Sequence, residues 1–344
     1  MGHKEEHSLV VRSALLRKDK GSEIMKILYC VLAAIAIFIT GCGQKYGENP
    51  QASSISIMNY TFDAKPHALY FDHLPSRVVV CGNSAADTIM ALGAGKRIRA
   101  VSLTDSTNKK NYQEQLPQAI ISGQFLSKEE AVMMEPDLIV GWRRFFDPKQ
   151  LGDTTEWGKR GVPAYIQEAS GPIPSLGNFP PCTIESEKAF ITNMGKIFQE
   201  ESKARHYVEE IDKEIQQAKN EAGGHRPKVL VLEFMGRSIE VFGKSLLTGD
   251  ILEKMDCDVV EFDSPFISKE ELLTVDADVI FLIYHGTQKE GEQMKLKLSE
   301  PMYQQIRAVQ SGKVYLLSYD RIVAPGIHTA ETIRYMRTSI FNQK

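Results

Sequence analysis

The chain has 344 residues, with 41 Lys and Arg against 44 Asp and Glu, a formal net charge of −3 and a mean hydropathy of −0.24. The near balance of charge and the lack of a basic block exclude a nucleic-acid binder held by phosphate contacts. Five cysteines, widely scattered, exclude a disulfide framework and a Cys-x-x-Cys metal site.

Residues 1–24 are charged and show no apolar periodicity. Met25 and Lys26 then lead into the uninterrupted apolar run Ile27–Ile39. A bilayer span needs about 20 apolar residues, whereas the h-region of a secretory signal is roughly 7–15 long. The run ends in Ile39-Thr40-Gly41-Cys42, which resembles the bacterial lipobox. That resemblance implies lipidation of Cys42 and export to the outer face of the bacterial cytoplasmic membrane. Residues 1–41 are thus expected to be a signal-peptide region. Within it, 1–24 read as an extension ahead of a natural start at Met25, or else as part of an extended signal. Residues 42–59, rich in Gly, Ser, Gln and Asn, suit a lipidated flexible tether.

The rest of the chain, about 300 residues, exceeds a single core of typical size and predicts two lobes. In the first, over 60–182, Arg77–Cys81 reads as a buried strand that turns through Gly82-Asn83-Ser84 into a helix ending at Gly93. Ile98–Leu103 is the next strand, Glu129–Met134 a helix stopped by Pro136, and Asp137–Gly141 a third strand. Gly161–Ile166 is a fourth, and a Gly- and Pro-rich loop runs to Pro180-Pro181. Residues 183–224 predict one linking helix, roughly 50 Å long at 1.5 Å per residue. The second lobe, 225–344, repeats the rhythm: strands over Lys228–Glu233, Ile239–Phe242, Asp278–Tyr284 and Lys313–Leu317, with helices between them and a final helix from Ala330. The fold class is α/β, two doubly wound lobes joined by one long rigid helix with a ligand cleft between them.

Six segments in register carry a family resemblance. They are Pro75-x-Arg77-Val78-Val79 with Ala86-Asp87-Thr88, Glu130-Ala131-Val132 with Glu135-Pro136-Asp137-Leu138-Ile139, Gly161-Val162-Pro163, Gly249-Asp250-Ile251-Leu252-Glu253, Ala308-Val309 with Gly312-Lys313-Val314-Tyr315, and Ala91-Leu92-Gly93 with Arg97-Ile98. Together they resemble the class III substrate-binding proteins of ABC importers for ferric siderophores, cobalamin and haem. The resemblance implies a rigid linker, a ligand between the lobes and delivery to a permease and its ATPase. It also implies a monomer with no intrinsic cofactor and no nucleic-acid partner, tied to the membrane through lipid on Cys42.

Ligands of open α/β sheets sit beyond the carboxyl ends of strands, so candidate residues are sought there. Trp142, Arg143 and Arg144 follow the third strand; indole stacks on a flat ligand and guanidinium pairs with anionic oxygens. Asn83 and Ser84 occupy the first strand-to-helix turn. Arg237 follows the first strand of the second lobe as a counterpart to Arg143. Tyr284 and His285 end the Asp278–Tyr284 strand, and Arg321 lies beyond Lys313–Leu317. His328 stands where relatives of this kind often carry Arg. For permease docking the resemblance points to Glu253 in the second lobe and to Asp147, Asp153 or Glu156 in the first. The expected ligand is a ferric siderophore or related metal chelate, with cobalamin or another corrinoid as the alternative and haem third. No Gly-x-Ser-x-Gly, P-loop or His-Glu-x-x-His motif is present. A chelatase-like enzyme of similar architecture is the less favoured reading, as is a zinc- or manganese-importer component.

Overall fold

In the computed structural model, which describes residues 55–104, 106–170 and 182–341, Ile55–Tyr60 (β1) pairs antiparallel with Pro66–Phe71 (β2). Ile57 and Asn59 face inward while Ser56 and Met58 face water, the period of two that a half-buried strand requires. The end of the expected tether is therefore a strand. Asn59 explains this: its Nδ2 donates to Ile166 O at 2.9 Å and its Oδ1 accepts from Ile166 N–H at 2.8 Å. The expectations for the signal region, for Cys42 and for the loop at 171–181 fall outside the described residues.

The first lobe follows as Val78–Cys81 (β3), Asn83–Ala91 (α1), Ile98–Ser102 (β4), Lys109–Gln115 (α2), Ile120–Ser122 (β5), Lys128–Met133 (α3), Leu138–Trp142 (β6), Thr154–Gly158 (α4) and Ala164–Gln167 (β7). Its strands lie in the order β5-β4-β3-β6-β7, all parallel. Every residue of β3, β6 and β7 is buried, as in a sheet covered on both faces. Helix α3 opens on a capping box, Ser127 with Glu130. The order reverses between β3 and β6, so their carboxyl ends frame a crevice. There Gly141 lies so close to Cys81 that a Cβ would stand 2.7 Å from the Cys81 Cβ.

The expected single linking helix is two helices. Ile184–Phe198 (α5) stops where Gln199 turns left-handed at φ 57°, and Glu201–Ala222 (α6) runs to Gly223, also left-handed. At 1.5 Å per residue they span about 22 and 33 Å. They pack against each other as an antiparallel pair. Lys188 reaches Asp212 at 2.8 Å, and Gly195 admits Ala204 at a contact where any Cβ would collide. Apolar spacing runs on through the break, which is why periodicity alone joined the two. The link itself is α6. Near its start Lys203 donates to Leu92 O of the first lobe at 3.0 Å.

The second lobe comprises Lys228–Met235 (β8), Ser238–Val241 (β9), Leu247–Lys254 (α7), Asp258–Val259 (β10), Phe266–Ile267 (β11), Lys269–Leu272 (α8), Val279–Tyr284 (β12), Gln288–Lys295 (α9), Arg307–Gln310 (α10), Val314–Ser318 (β13) and Thr329–Phe341 (α11). Its sheet is mixed: β8, β12 and β13 are parallel, β10 joins the start of β8 in parallel, and β9 runs antiparallel to both of its neighbours, β8 and β11. Helix α11 is tied to α6 by the buried Glu214, which meets Arg334 at 2.7 Å and Arg337 at 3.1 Å.

The chain then crosses between lobes over Ala324–His328. Ser84 Oγ donates to Ala324 O at 2.5 Å, and Gln167 Nε2 donates to the same oxygen at 3.3 Å. Gly326 N–H donates to Glu187 Oε2 at 2.5 Å, and His328 Nε2 lies 2.7 Å from Asp87 Oδ2. Gly326 has φ 58°, and a Cβ there would strike the Thr88 hydroxyl, so the tight crossing requires glycine.

Burial is the main cause that pushes the Glu187 carboxyl up to about 8. Between the unfolded value near 4.5 and about 8 the folded state holds the extra proton, so this group's contribution falls as pH rises through that window. Replacing it with Gln keeps an acceptor for Gly326 and removes the buried charge. We expect Glu187→Gln to raise stability by on the order of 2 kcal/mol at pH 8 and to change little at pH 5. Thermal melts of both proteins across pH 5–8 check this; parallel curves would contradict it.

Candidate functional site

The crevice at the switch point opens into a cavity of about 430 Å³. The first lobe contributes Thr104, Trp142 and Arg144; the second contributes His285, Tyr319 and Asp320. Trp142 is the last residue of β6, and the others stand just beyond the carboxyl end of a parallel strand: Thr104 after β4, Arg144 after β6, His285 after β12, and Tyr319 with Asp320 after β13.

Consecutive residues here part ways. After β6 the chain makes a tight 3₁₀ turn, Arg143–Phe146, which sends Arg143 inward and Arg144 outward. Arg143 is fully buried, with its Nε donating to Phe62 O at 2.8 Å and its guanidinium 5.6 Å from the Phe62 ring centre. It is a core residue, away from the cavity it was expected to line. Arg144 lies exposed over the Phe125 ring at 4.9 Å, an arrangement that orients the cation and leaves its donors toward solvent.

Trp142 lines the cavity but is only 1% exposed. Its ring packs across Gly82, where a Cβ would sit 3.3 Å from the indole nitrogen, and edge-on to Tyr319 at 6.3 Å. The positive φ of Gly82, 131°, and the missing side chain give the indole this seat. Tyr319 in turn stacks on His285, ring centres 4.3 Å apart. The wall is thus an aromatic ladder of Trp142, Tyr319 and His285 across the two lobes.

His285 is held from behind. Its Nε2 lies 3.1 Å from Oε1 of Glu233, a residue of β8 only 5% exposed. The hydrogen bond to Glu233 is the chief cause that raises the His285 pKa above the ordinary value, against a smaller opposing effect of burial. Burial, with Glu233 close by, raises the carboxyl of Glu240. At the cavity floor Thr104 Oγ1 donates to Asp320 Oδ1 at 3.1 Å, and Asn83 Oδ1 accepts from Thr104 N–H at 3.0 Å. Asn83 Nδ2 stands 3.4 Å from Asp320 Oδ2. Asn83 and Ser84 are both buried and serve the seam between lobes, one side chain behind the cavity lining and the other at Ala324.

The remaining expected residues lie elsewhere. Arg237 is exposed at the tip of the β8–β9 hairpin, whose turn Gly236 is left-handed at φ 64°. Tyr284 and Arg321 line a separate pocket of about 340 Å³ over β13, between α9 and α11, where Arg321 pairs with Glu331 at 2.6 Å. Of the docking candidates, Glu253 is half-exposed on α7 and 3.5 Å from Lys244. Asp153 caps α4 and binds Phe62 N–H, Glu156 pairs with Lys128, and Asp147 accepts from Lys149 N–H. Sequence reading missed Thr104, Glu233, Tyr319 and Asp320. Position after a strand, the rule that found Trp142 and His285, also marks Tyr319 and Asp320. Glu233 left no such mark. Among the described residues no group of three or more His, Cys, Asp or Glu side chains could hold a metal ion.

The cavity therefore offers the Arg144 guanidinium and the Glu233-paired imidazole of His285, beside Asp320, on an aromatic wall. Because the His285 pKa is raised, its favourable interaction is fully present below about 6.5 and is lost as pH rises through the folded value. We expect Glu233→Gln to lower that pKa, moving the His285 ring resonances' titration midpoint to lower pH in an NMR titration. An unmoved midpoint would show that Glu233 does not hold the imidazolium.

A family model described as "Periplasmic binding protein" matches residues 78–320. Solved structures share the fold. A periplasmic binding protein from Veillonella parvula is 26% identical, with TM-score 0.75 over 85% of this chain and 92% of its own. The siderophore-binding protein BauB, bound to two acinetobactin molecules and ferric iron, is 19% identical with TM-score 0.65, over 84% of this chain and 99% of its own. The petrobactin-binding protein YclQ from Bacillus subtilis is 19% identical with TM-score 0.63, over 84% of this chain and 98% of its own. No curated protein matches the sequence.

Proposed function

From the premise that this chain belongs to the periplasmic binding protein family, we propose that it is the substrate-binding component of an ABC importer. Its substrate would be an anionic metal chelate, a ferric siderophore in the first instance. The observation that carries this reading is the pairing of Arg144 with His285 across the aromatic ladder at the mouth of the switch-point cleft. A charged, hydrogen-bonding chelate surface fits nitrogen donors from opposite lobes, the Arg144 guanidinium above all, because charge-assisted bonds are the stronger ones in a partly desolvated site. Structures of this fold whose ligands are a ferric acinetobactin complex and petrobactin support the choice of class. The corrinoid alternative leaned on Trp142 as an open stacking platform, and an indole 1% exposed offers little face to a macrocycle. On this reading the protein captures and releases its ligand as a monomer and carries out no reaction on it.

Export and anchoring belong to the same proposal. Cys42 would carry the lipid and hold the protein on the outer face of the cytoplasmic membrane, within reach of a permease that Glu253 would help to meet. Among the described residues no helix is long and apolar enough to cross a membrane.

Titration of the purified protein with iron(III) hydroxamate, catecholate and carboxylate chelates, and with cobalamin, cobinamide and haem, identifies the ligand. Trp142 at the cavity wall supplies a fluorescence signal. We expect submicromolar binding of one iron chelate and a loss of roughly tenfold to hundredfold in Arg144→Ala, the value of one or two charge-assisted hydrogen bonds. Tight binding that ignores Arg144→Ala would remove the ligand from this cavity, and binding of cobalamin alone would reverse the choice of class.

A further inference from the structure

Tyr319 has a second side. Besides the polar cavity, it lines a neighbouring chamber of about 390 Å³ at the opposite flank of the cleft. Phe242, Leu246, Phe262, Phe266, Ile322 and Val323 make its walls, and apolar surface dominates over polar. Ala169 of the first lobe closes it from across the cleft. Phe266 is 52% exposed and Leu246, Phe262 and Val323 only partly covered, so the chamber presents aromatic and aliphatic groups to water in a concave cluster. Scattered apolar residues on a surface are ordinary, but a concave apolar cluster beside a polar site is the form of a ligand pocket.

Charge is sorted between the two spaces. Arg144 and His285 stand in the polar cavity, with Asp320 engaged by Thr104 and Asn83. The titratable side chains of the apolar chamber, apart from Tyr319 and Cys182, are the acids Glu240, Glu261 and Asp263. Glu261 is turned to Lys244, accepting its backbone N–H at 2.7 Å, with the Lys244 ammonium 3.6 Å away. The chamber's lining holds acids and no basic side chain, so an anionic group is better placed in the space that holds Arg144, which fixes the direction in which an unsymmetrical ligand would lie.

Each volume lies near the lower end of the range for small-ligand sites, about 300–1,000 Å³. Tyr319 lines both, so the two spaces adjoin at this side chain. We infer that the ligand is amphiphilic: an anionic chelating headgroup against Arg144 and His285, and a neutral hydrocarbon or aryl arm in the chamber of Phe242, Phe262 and Phe266, with Tyr319 at the neck. The inference rests on the reading of the cleft as a chelate site and adds the arm to it.

Pairs of iron(III) chelates that share a hydroxamate, catecholate or carboxylate headgroup and carry either an ethyl or an octyl arm test it on the purified protein. The octyl member of the pair that binds should be at least tenfold tighter. Ser245→Trp, which fills the chamber from an exposed position, and Phe266→Ser, which strips its rim, should erase that preference and leave the ethyl member's affinity unchanged. Equal affinity for ethyl and octyl members overturns the arm while leaving the chelate reading in place. A preference that survives both variants overturns it too, as general stickiness of the chain. Failure of every chelate to bind overturns the chelate reading and the arm with it.

Discussion

The cleft depends on one constraint: a strip of the second half of the chain, from Tyr319 to His328, must lie against the first lobe with its polar groups satisfied. Ala324 O receives hydrogen bonds from Ser84 and Gln167, Gly326 N–H finds Glu187, and His328 finds Asp87. Buried polar groups that lose a partner cost about 1–3 kcal/mol each, so this strip has few alternative positions. Tyr319 and Asp320 stand at its start, and their place in the cavity follows from the crossing. The part of the cavity wall made by Tyr319 and Asp320 is therefore set by hydrogen bonds made further along the same strip.

The same seam explains why two sheets behave as one unit. A hinge made of a single helix would let the lobes swing. Here α6 runs from Leu92 in one lobe to Arg334 and Arg337 in the other, and the strip at 324–328 forms a second connection. Two separated attachments resist rotation about either one. The rigid linkage that family resemblance implies would draw on these paired connections, and the length of one helix is not needed for it.

The sequence was most legible where one interaction dominates. Buried parallel strands such as Val78–Cys81 and Leu138–Trp142 show as β-branched runs because both faces are covered. Site residues at strand ends show for the same reason, since topology alone puts Arg144 and His285 at the crevice. What stayed hidden depends on local geometry or on distant partners. Arg143 and Arg144 are indistinguishable as letters, and only the 3₁₀ turn sends one into the core. Arg237 looked like a strand-end cation, yet Met235-Gly236-Arg237-Ser238 lies between two β-branched runs, the pattern of a hairpin tip. The break at Gln199 sits inside an unbroken apolar period, and the left-handed turn that makes it has no glycine to announce it. Glu233 is one acid among many until β12 brings His285 to it.

Glu233 and Glu187 put the same physics to opposite uses. Both carboxyls are buried, but Glu233 meets an imidazole able to take a proton, whereas Glu187 meets a neutral amide and a hydroxyl. A buried carboxylate with a cationic partner keeps its charge and raises the partner's pKa; without one it takes up a proton instead. The first arrangement favours the protonated form of His285 at the ligand cavity, while the second lets an acid enter the lobe seam as a neutral hydrogen-bonding group. An imidazolium beside a carboxylate carries little net charge, so the Glu233 contact chiefly orients His285 as a donor and leaves Arg144 as the cation an anion would meet.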